Sequence, residues 1–281
     1  MEVIKFSSEY FNATDTLDCG QIFRYKLING KYLVVSGDKA CFIKTDGETT
    51  VVECEDGKYF RNFFDLDRDY GSINQLVKGS KYEIVAKSAD RARGIRILNQ
   101  QREEMLFSFI ISQNNMIPRI KAIIERTCET LGQKRTIDGY EYYSFPSAEI
   151  LAKCDEEFYK SLGYGYRARY MVEVSNAIVN GEINLDKIAN LPTEELKKCL
   201  VSLKGVGGKV ADCIALFGYH RVDSFPVDTW IERLYKEDFK GELADRKKIT
   251  EWFLNEFKDN SGYVQQYLFY YKRSLEKNER G

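Results

Sequence analysis

The chain is poor in the residues that build most metal sites and catalytic triads. Its 281 residues include a single histidine, His220, which excludes histidine metal centres and Ser-His-Asp catalysis. The seven cysteines are scattered and form no Cys-x-x-Cys pair. They therefore predict buried thiols and not a zinc site, an iron–sulfur cluster or a disulfide framework. We expect no metal and no cofactor.

Long apolar runs and a targeting signal are also missing. A membrane-spanning helix needs a run of about 18 apolar residues, and the sequence has none. Residues 1–5 lack the charged-then-apolar pattern of a secretion signal. We therefore expect no membrane association and a cytoplasmic location. The net charge is only −1, which speaks mildly against a nucleic-acid partner, although a local basic face can coexist with an acidic remainder.

Turn chemistry in the first 55 residues predicts a sheet. Asn29-Gly30 separates the apolar segments 25–28 and 31–35, and Asp46-Gly47 separates 41–45 from 48–52. Both dipeptides are typical of tight hairpins in which two central residues need positive φ. From Glu103 onward, apolar residues recur at helical spacing. We predict an α+β protein with an N-terminal antiparallel sheet domain over residues 1–98 and a helical domain over residues 99–281.

The most informative run is LKGVGGKVAD, residues 203–212. The segment before it starts a helix that Thr193 is suited to cap, and a helical apolar face resumes at Val210. This arrangement predicts a helix, a glycine-rich hairpin and a second helix. Glycines let a backbone approach a ligand, and the N–H groups that begin the second helix favour an anion such as a DNA phosphate. A tight turn between packed helices would by itself explain the glycines.

The whole run resembles the helix-hairpin-helix motif of DNA base-excision glycosylases. The segment FPVDT (225–229), whose Asp228 lies nineteen residues after Lys209, is similar to the Pro-Val-Asp segment of that family. The segments GQIFR (20–24), FSFIISQNN (107–115) and LGYGYRARY (162–170) resemble, in the same order, segments of 8-oxoguanine DNA glycosylases. The resemblance implies a TATA-binding-protein-like N-terminal sheet domain, a helical catalytic domain and double-stranded DNA containing 8-oxoguanine as the partner.

The resemblance also implies a catalytic pair, Lys209 and Asp228. An amine can trap C1′ of the sugar as a Schiff base, and a carboxylate can stabilise the positive charge that builds on the sugar. Since an ordinary lysine has a pKa near 10.4 and is protonated at neutral pH, we expect burial to lower the pKa of Lys209, with Asp228 acting in the opposite direction. Asp228 is also expected to cap the helix that follows it.

Recognition roles follow from the same resemblance. It assigns the damaged base to Gly20, Cys213, Gln265 and Phe269, with Gln266 as the alternative if the register slips by one residue. It assigns the opposite base to Asn114, Arg119 and Arg167, the stack to Tyr166, and DNA phosphates to Gly205, Gly207 and Val210. Three positions depart from the family pattern: Lys204 replaces a proline, Trp230 a histidine and Met116 an asparagine.

Other interpretations stay open at this stage. A glycosylase for alkylated bases would share the fold, but such monofunctional relatives lack the lysine. A non-enzymatic helix-hairpin-helix DNA-binding protein would explain the glycines but not Asp228. An interaction protein without nucleic acid is supported only by the charge balance. For the main interpretation we expect a monomer that is located with the chromosomal DNA, which means the nucleus if the source is eukaryotic.

Overall fold

A five-stranded antiparallel sheet forms the N-terminal part of the chain. The computed structural model describes residues 1–279 and the side chains of residues 1–275. The strand order is β1-β5-β4-β3-β2, so the last four strands form an antiparallel meander, as the two predicted hairpins require, and the first strand pairs with β5. The strands are β1 (Glu2–Ser7), β2 (Tyr25–Ile28), β3 (Lys31–Ser36), β4 (Lys39–Asp46) and β5 (Thr49–Cys54).

The two predicted hairpin turns differ in detail. Asn29 and Gly30 have φ of 49° and 79°, which confirms a turn with two positive-φ residues. The second prediction was wrong by one residue, because Asp46 pairs with Thr49 and the loop is Gly47 and Glu48. Gly47 has φ of 57° while Glu48 stays at negative φ, as in turns that need a glycine at the first central position.

Helices surround the sheet and form the rest of the chain. The α+β class is confirmed, but the sequence pattern missed four short helices within the first 98 residues. In chain order the helices are α1 (Ala13–Asp18), α2 (Gly57–Phe63), α3 (Tyr70–Lys78), α4 (Glu83–Arg91), α5 (Arg102–Ser112), α6 (Ile117–Leu131), α7 (Ala148–Leu151), α8 (Glu156–Ser161), α9 (Ala168–Val179), α10 (Leu185–Ile188), α11 (Thr193–Val201), α12 (Gly208–Gly218), α13 (Thr229–Glu237), α14 (Arg246–Phe257) and α15 (Ser261–Glu279).

A separate two-stranded hairpin, β6 (Lys134–Ile137) and β7 (Tyr140–Tyr143), interrupts the helical part. The sequence carried its signal, since Asp138-Gly139 is the turn and both residues have positive φ. This hairpin packs on the N-terminal sheet, where the Tyr140 ring meets Phe42 edge-on at 5.3 Å between centroids. The helical part therefore supports the sheet on one face.

Two main apolar cores hold the molecule together. One lies between the sheet and α1 and α2, and includes Val34, Val52 and Phe60. The larger core lies among the helices and includes residues of α4 such as Val85, together with residues of α5, α12 and α15. Helices α3 and α4 thus pack into the helical core although they precede residue 98, and the division at that residue stays a prediction.

A buried ion pair joins the sheet to α5. The Arg24 Nη1 atom lies 3.5 Å from Glu104 Oε2, and both side chains are almost completely buried. The same carboxylate accepts a hydrogen bond from the Gly37 backbone N–H at 2.6 Å, and Arg24 also donates to the carbonyls of Gly37 and Tyr143. Burial raises the pKa of the Glu104 carboxyl above its ordinary value, although Arg24 opposes this shift.

Removing one partner of this pair should be costly. We expect Glu104→Leu to lower the free energy of unfolding by about 3–5 kcal/mol, because it leaves the Arg24 charge buried without its carboxylate. Urea unfolding measures the change. The double variant Arg24→Met/Glu104→Leu should lose less than Glu104→Leu alone. As a control, Lys78→Met breaks the exposed Lys78–Asp90 pair and should lower the free energy of unfolding by at most about 1 kcal/mol. If Glu104→Leu lowers it by no more than this control does, the prediction is contradicted.

Candidate active site

The glycine-rich run forms the predicted hairpin between α11 and α12. One detail of its approach was wrong: Pro192, and not Thr193, occupies the cap position of α11. The Thr193 hydroxyl instead donates a hydrogen bond to the Asp223 carboxylate at 2.9 Å. This bond ties the start of α11 to the segment that follows α12, and so fixes the two helices relative to each other.

The hairpin brings exposed backbone to the start of α12. Gly205 has φ of 80°, and a Cβ atom there would lie 2.5 Å from the Tyr170 ring, so the position requires glycine. Gly207 caps α12 without a side chain, and Gly207 and Gly208 are both exposed. The first N–H groups of the helix, up to that of Val210, have no carbonyl partner within it. Together with the helix dipole they favour an anion at this end.

Lys209 lies in the first turn of α12. Its Nζ atom is 5.7 Å from the centre of the Phe109 ring, and it is hydrogen-bonded to Cys213, one turn further along the helix. The Cys213 side chain is buried, with 4% of its surface exposed. Lys209 itself is only partly exposed, so its amine lies at the wall of the site and not in bulk solvent.

The expected lowering of the Lys209 pKa is not found. Burial does act to lower it, but the Cys213 sulfur, Asp228 and Asp212 outweigh burial, and the pKa lies above its ordinary value. Burial raises the pKa of the Cys213 thiol to about 11, so this sulfur is protonated at neutral pH and the carboxylates supply the negative charge. The resting form of Lys209 in the DNA-free protein is therefore the ammonium.

Asp228 is the cap of α13, as predicted. One carboxylate oxygen, Oδ1, accepts hydrogen bonds from the backbone N–H groups of Trp230 and Ile231, each at 3.0 Å. These bonds fix the orientation of the carboxylate. Pro226 and Val227, which lead into the cap, are buried. The capping role and a catalytic role are compatible, because the cap holds the carboxylate still.

A cleft of about 960 Å³ connects these groups. Nine of the predicted residues line it: Gly20, Asn114, Arg119, Tyr166, Gly207, Lys209, Val210, Asp228 and Phe269. Four other predicted site residues do not line the cleft: Arg167, Gly205, Cys213 and Gln265. Cys213 is nevertheless next to a wall residue, since it interacts with Lys209, whereas Gln265 Nε2 donates to the carbonyl of Pro226 at 3.3 Å, two residues before Asp228.

Gly20 and Phe269 face each other across one end of the cleft. Gly20 has φ of 89°, and a Cβ atom there would lie 3.2 Å from Cε1 of Phe269. Gln265 precedes Phe269 by one helical turn and shares its face of α15, whereas Gln266 shares the face of Tyr270. The Oε1 atoms of both glutamines are buried and have no hydrogen-bond partner within residues 1–275, so only the helix face distinguishes them. Helical geometry therefore favours Gln265 over Gln266 as the polar group beside Phe269.

The residues assigned to the opposite base are not equally available. Arg119 and Asn114 are exposed, and Asn114 has φ of 46°. Tyr166 projects with 54% of its surface exposed. Arg167, in contrast, is 4% exposed, and its guanidinium donates to the carbonyls of Gln113 and Asn114. Arg167 therefore holds the loop that presents Asn114.

Several cleft residues were not singled out from the sequence as functional. Phe23 and Phe109 lie within the resembling segments, and their rings meet edge-on at 5.7 Å. Arg273 follows Phe269 by one helical turn, a spacing that alone places both on one face of α15. Arg246 joins the site through α14 and is paired with Glu232 at 2.8 Å. Trp230, a departure from the family pattern, also lines the cleft.

The described part of the chain offers no group of three or more His, Cys, Asp or Glu side chains that could hold a metal ion. Within residues 1–279, every helix is too short or too polar to cross a membrane.

Two family models match adjacent parts of the chain. Residues 3–106 match the N-terminal domain of 8-oxoguanine DNA glycosylase. Residues 107–258 match the HhH-GPD superfamily of base excision DNA repair proteins.

Individual relatives agree with these matches. A probable N-glycosylase/DNA lyase of Methanothermobacter thermautotrophicus is 31% identical over 230 residues, which are 75% of this chain and 72% of that protein. An N-glycosylase/DNA lyase of Saccharomyces cerevisiae is 39% identical over 160 residues, or 53% of this chain. The chain covers 43% of the length of the yeast protein.

The fold agrees as well. A crystal structure of the Clostridium acetobutylicum 8-oxoguanine glycosylase/lyase, in complex with double-stranded DNA containing cytosine opposite 8-oxoguanine, is 35% identical. It superposes with a TM-score of 0.92 and covers 98% of this chain and 99% of its own. The chain belongs to the 8-oxoguanine DNA glycosylases of the HhH-GPD superfamily.

Proposed function

We propose that the protein is a bifunctional DNA glycosylase and abasic-site lyase that excises 8-oxoguanine from duplex DNA. The observation that carries the proposal is the placement of Lys209 and Asp228 on one cleft, beside the exposed N-terminus of α12. A nucleophilic amine, an oriented carboxylate and a phosphate-binding backbone are the three elements that the reaction needs.

DNA binding would use the hairpin and the opposite rim of the cleft. Backbone N–H groups of Gly205, Gly207 and Val210 face a phosphate at the start of α12. Tyr166 is exposed enough to enter the stack in place of the extruded base. Arg119 and Asn114 then reach the orphaned cytosine, whose acceptors suit guanidinium and amide donors.

The extruded base would lie between Cys213 and Phe269. The Gly20 carbonyl would accept the proton on N7, which 8-oxoguanine has and guanine lacks. With guanine, two acceptors would face each other, and such an unmet pair is unfavourable in a closed site. Gln265 would bind the Watson–Crick edge with its unpartnered oxygen.

The chemistry begins with cleavage of the bond between C1′ and the base. Asp228 stabilises the positive charge on the sugar, while the departing base gains electrons and becomes a proton acceptor. Transfer of a proton from the Lys209 ammonium to that base would neutralise the leaving group and free the amine. The amine then bonds to C1′, and a proton passes from its nitrogen to the ring oxygen as the C1′–O4′ bond breaks to give an iminium. A proton then passes from C2′ to the excised base or to water, and the electrons of that C–H bond expel the 3′ phosphate.

Cellular location and assembly follow from this role. We place the enzyme with the chromosomal DNA in the cytoplasm, or in the nucleus of a eukaryotic cell, and we expect it to act as a monomer.

Covalent trapping tests the role of Lys209. We expect borohydride to trap an adduct between the wild-type protein and duplex DNA containing 8-oxoguanine, because reduction fixes the Schiff base. Lys209→Gln should form no adduct and lose at least about a hundredfold in excision rate. Lys198→Gln, which removes an exposed lysine of α11, should still be trapped. An adduct that persists in Lys209→Gln would exclude this nucleophile.

Lesion choice tests the role of Gly20. We expect excision of 8-oxoguanine and not of guanine, because the Gly20 carbonyl needs a proton on N7. Single-turnover excision from otherwise identical duplexes measures the preference. If alkylated purines are excised as fast as 8-oxoguanine, the protein recognises a different class of lesion.

The base opposite the lesion tests Arg119. We expect excision to be about tenfold or more faster opposite cytosine than opposite adenine, since a mismatched contact costs about 1–3 kcal/mol. Arg119→Ala should reduce this preference. Rates measured on four duplexes that differ only at the opposite base decide the point, and equal wild-type rates on all four would remove the assignment.

A further inference from the structure

Two groups of the proposed base-binding slot, the Gly20 carbonyl at its edge and the Phe269 ring at one face, come from distant parts of the chain. Gly20 follows α1 in the N-terminal part, while Phe269 belongs to α15 near the other end. The two groups lie close together, since a Cβ atom at Gly20 would already lie 3.2 Å from the Phe269 ring. Contacts between α1 and α15 therefore help to set how the Gly20 carbonyl is placed relative to this ring.

Arg273 makes one of these contacts. Its Nη1 atom donates a hydrogen bond to the Asp18 carbonyl at 3.0 Å and lies 3.6 Å from the Cβ position of Gly20. Asp18 is the last residue of α1, and carbonyls at a helix C-terminus lack partners within the helix. A guanidinium satisfies such a carbonyl and also complements the negative end of the helix dipole.

Tyr270 makes a second contact, from the adjacent turn of α15. Its hydroxyl donates to the Asp15 carboxylate at 2.5 Å, and the Arg91 guanidinium lies over the Tyr270 ring, 5.6 Å from its centre. Asp15 and Asp18 are separated by about one turn of α1. Tyr270 and Arg273 therefore hold both ends of this short helix against α15.

On its other side, the Gly20 segment is fixed by Gln21. The fully buried Gln21 amide donates to the Arg96 carbonyl at 2.7 Å and accepts from the Leu98 backbone N–H at 2.9 Å. Gly20 thus lies between one anchor to residues 96–98 and another to α15. Loss of the α15 anchor would leave the segment attached on one side only, with the Phe269 ring free to change its distance from Gly20.

We propose that Arg273 is a positioning residue for recognition of the damaged base: together with Tyr270 it clamps α1 onto α15 and fixes the separation between the Gly20 carbonyl and the Phe269 ring. This inference rests on the proposed function. It concerns the slot for the base and not Lys209 or Asp228, so it predicts a defect in base excision without a defect in cleavage at a site that has no base.

The experiment compares two single-turnover reactions in the same duplex sequence: excision of 8-oxoguanine, and strand cleavage at a preformed abasic site. The variants are Arg273→Gln, Arg273→Lys and Tyr270→Phe. The matched control is Lys272→Gln, which removes one cation from the adjacent position of α15, where it pairs with Glu237 and Asp238. Thermal unfolding of each variant shows whether the fold is retained.

We expect Arg273→Gln to slow excision of 8-oxoguanine by about ten- to hundredfold, because a small displacement of a bound group has effects of this size. Its cleavage of the abasic site should match that of the wild type. Arg273→Lys should recover part of the loss, since an ammonium can still donate to the Asp18 carbonyl. Tyr270→Phe should slow excision less, and the Lys272→Gln control should match the wild type in both reactions.

Two results would overturn the inference: an equal loss of both reactions in Arg273→Gln, which would indicate a role in folding or DNA binding, or excision of 8-oxoguanine at the wild-type rate. Either result leaves the proposed function intact, because the wild-type reactions stand. If the wild-type protein cleaves abasic sites but releases no 8-oxoguanine, the proposed function fails, and this inference fails with it.

Discussion

The charge on Lys209 is the constraint around which the site is arranged. Burial in the first turn of α12 opposes the ammonium, while its neighbours, among which the Asp228 and Asp212 carboxylates supply the negative charge at neutral pH, favour it more strongly. The same turn exposes backbone N–H groups that attract a phosphate. Lys209 is therefore a cation at a position where the proposed function places an anionic strand, on the same cleft as the Asp228 carboxylate that its cap holds in place.

The fold brings this turn to a cleft that neither part of the chain could form alone. The sheet side supplies Gly20 and Phe23, while α5, α12 and α15 supply Phe109, Lys209 and Phe269. Arg24, four residues after Gly20, forms the buried ion pair with Glu104 and so ties the segment between α1 and β2 to α5. A single ion pair with its backbone partners thus fixes the sheet against the helix that carries Phe109.

Much of the fold and site could be predicted from sequence, and the failures have physical reasons. The turn predicted at Asn29-Gly30 and the hairpin predicted for residues 203–212 were confirmed because their conformations are set locally. Positive φ sets the first, and the start of α12 sets the second. Short helices such as α2 were missed because tertiary packing stabilises them more than their own sequence does. Arg167 has a donor chemistry that suits a base or a carbonyl equally well, and only the fold shows that it binds the carbonyls of the Gln113 loop. The choice between Gln265 and Gln266 likewise depends on which of the two shares a face of α15 with Phe269.

The raised pKa of Lys209 fits the chemistry better than a lowered one would. A neutral amine exposed at the wall of an open cleft would react with any aldehyde that entered it, whereas an ammonium is not a nucleophile. Burial already opposes the charge, so the balance depends on nearby carboxylates and is sensitive to any new charge in the cleft. In the proposed reaction, a sugar that becomes positive beside Asp228 takes over part of that stabilisation, while the departing base provides the proton acceptor. In the proposed excision step the amine is thus freed as the bond to the base breaks, which couples activation of Lys209 during excision to the presence of a lesion that fits the slot.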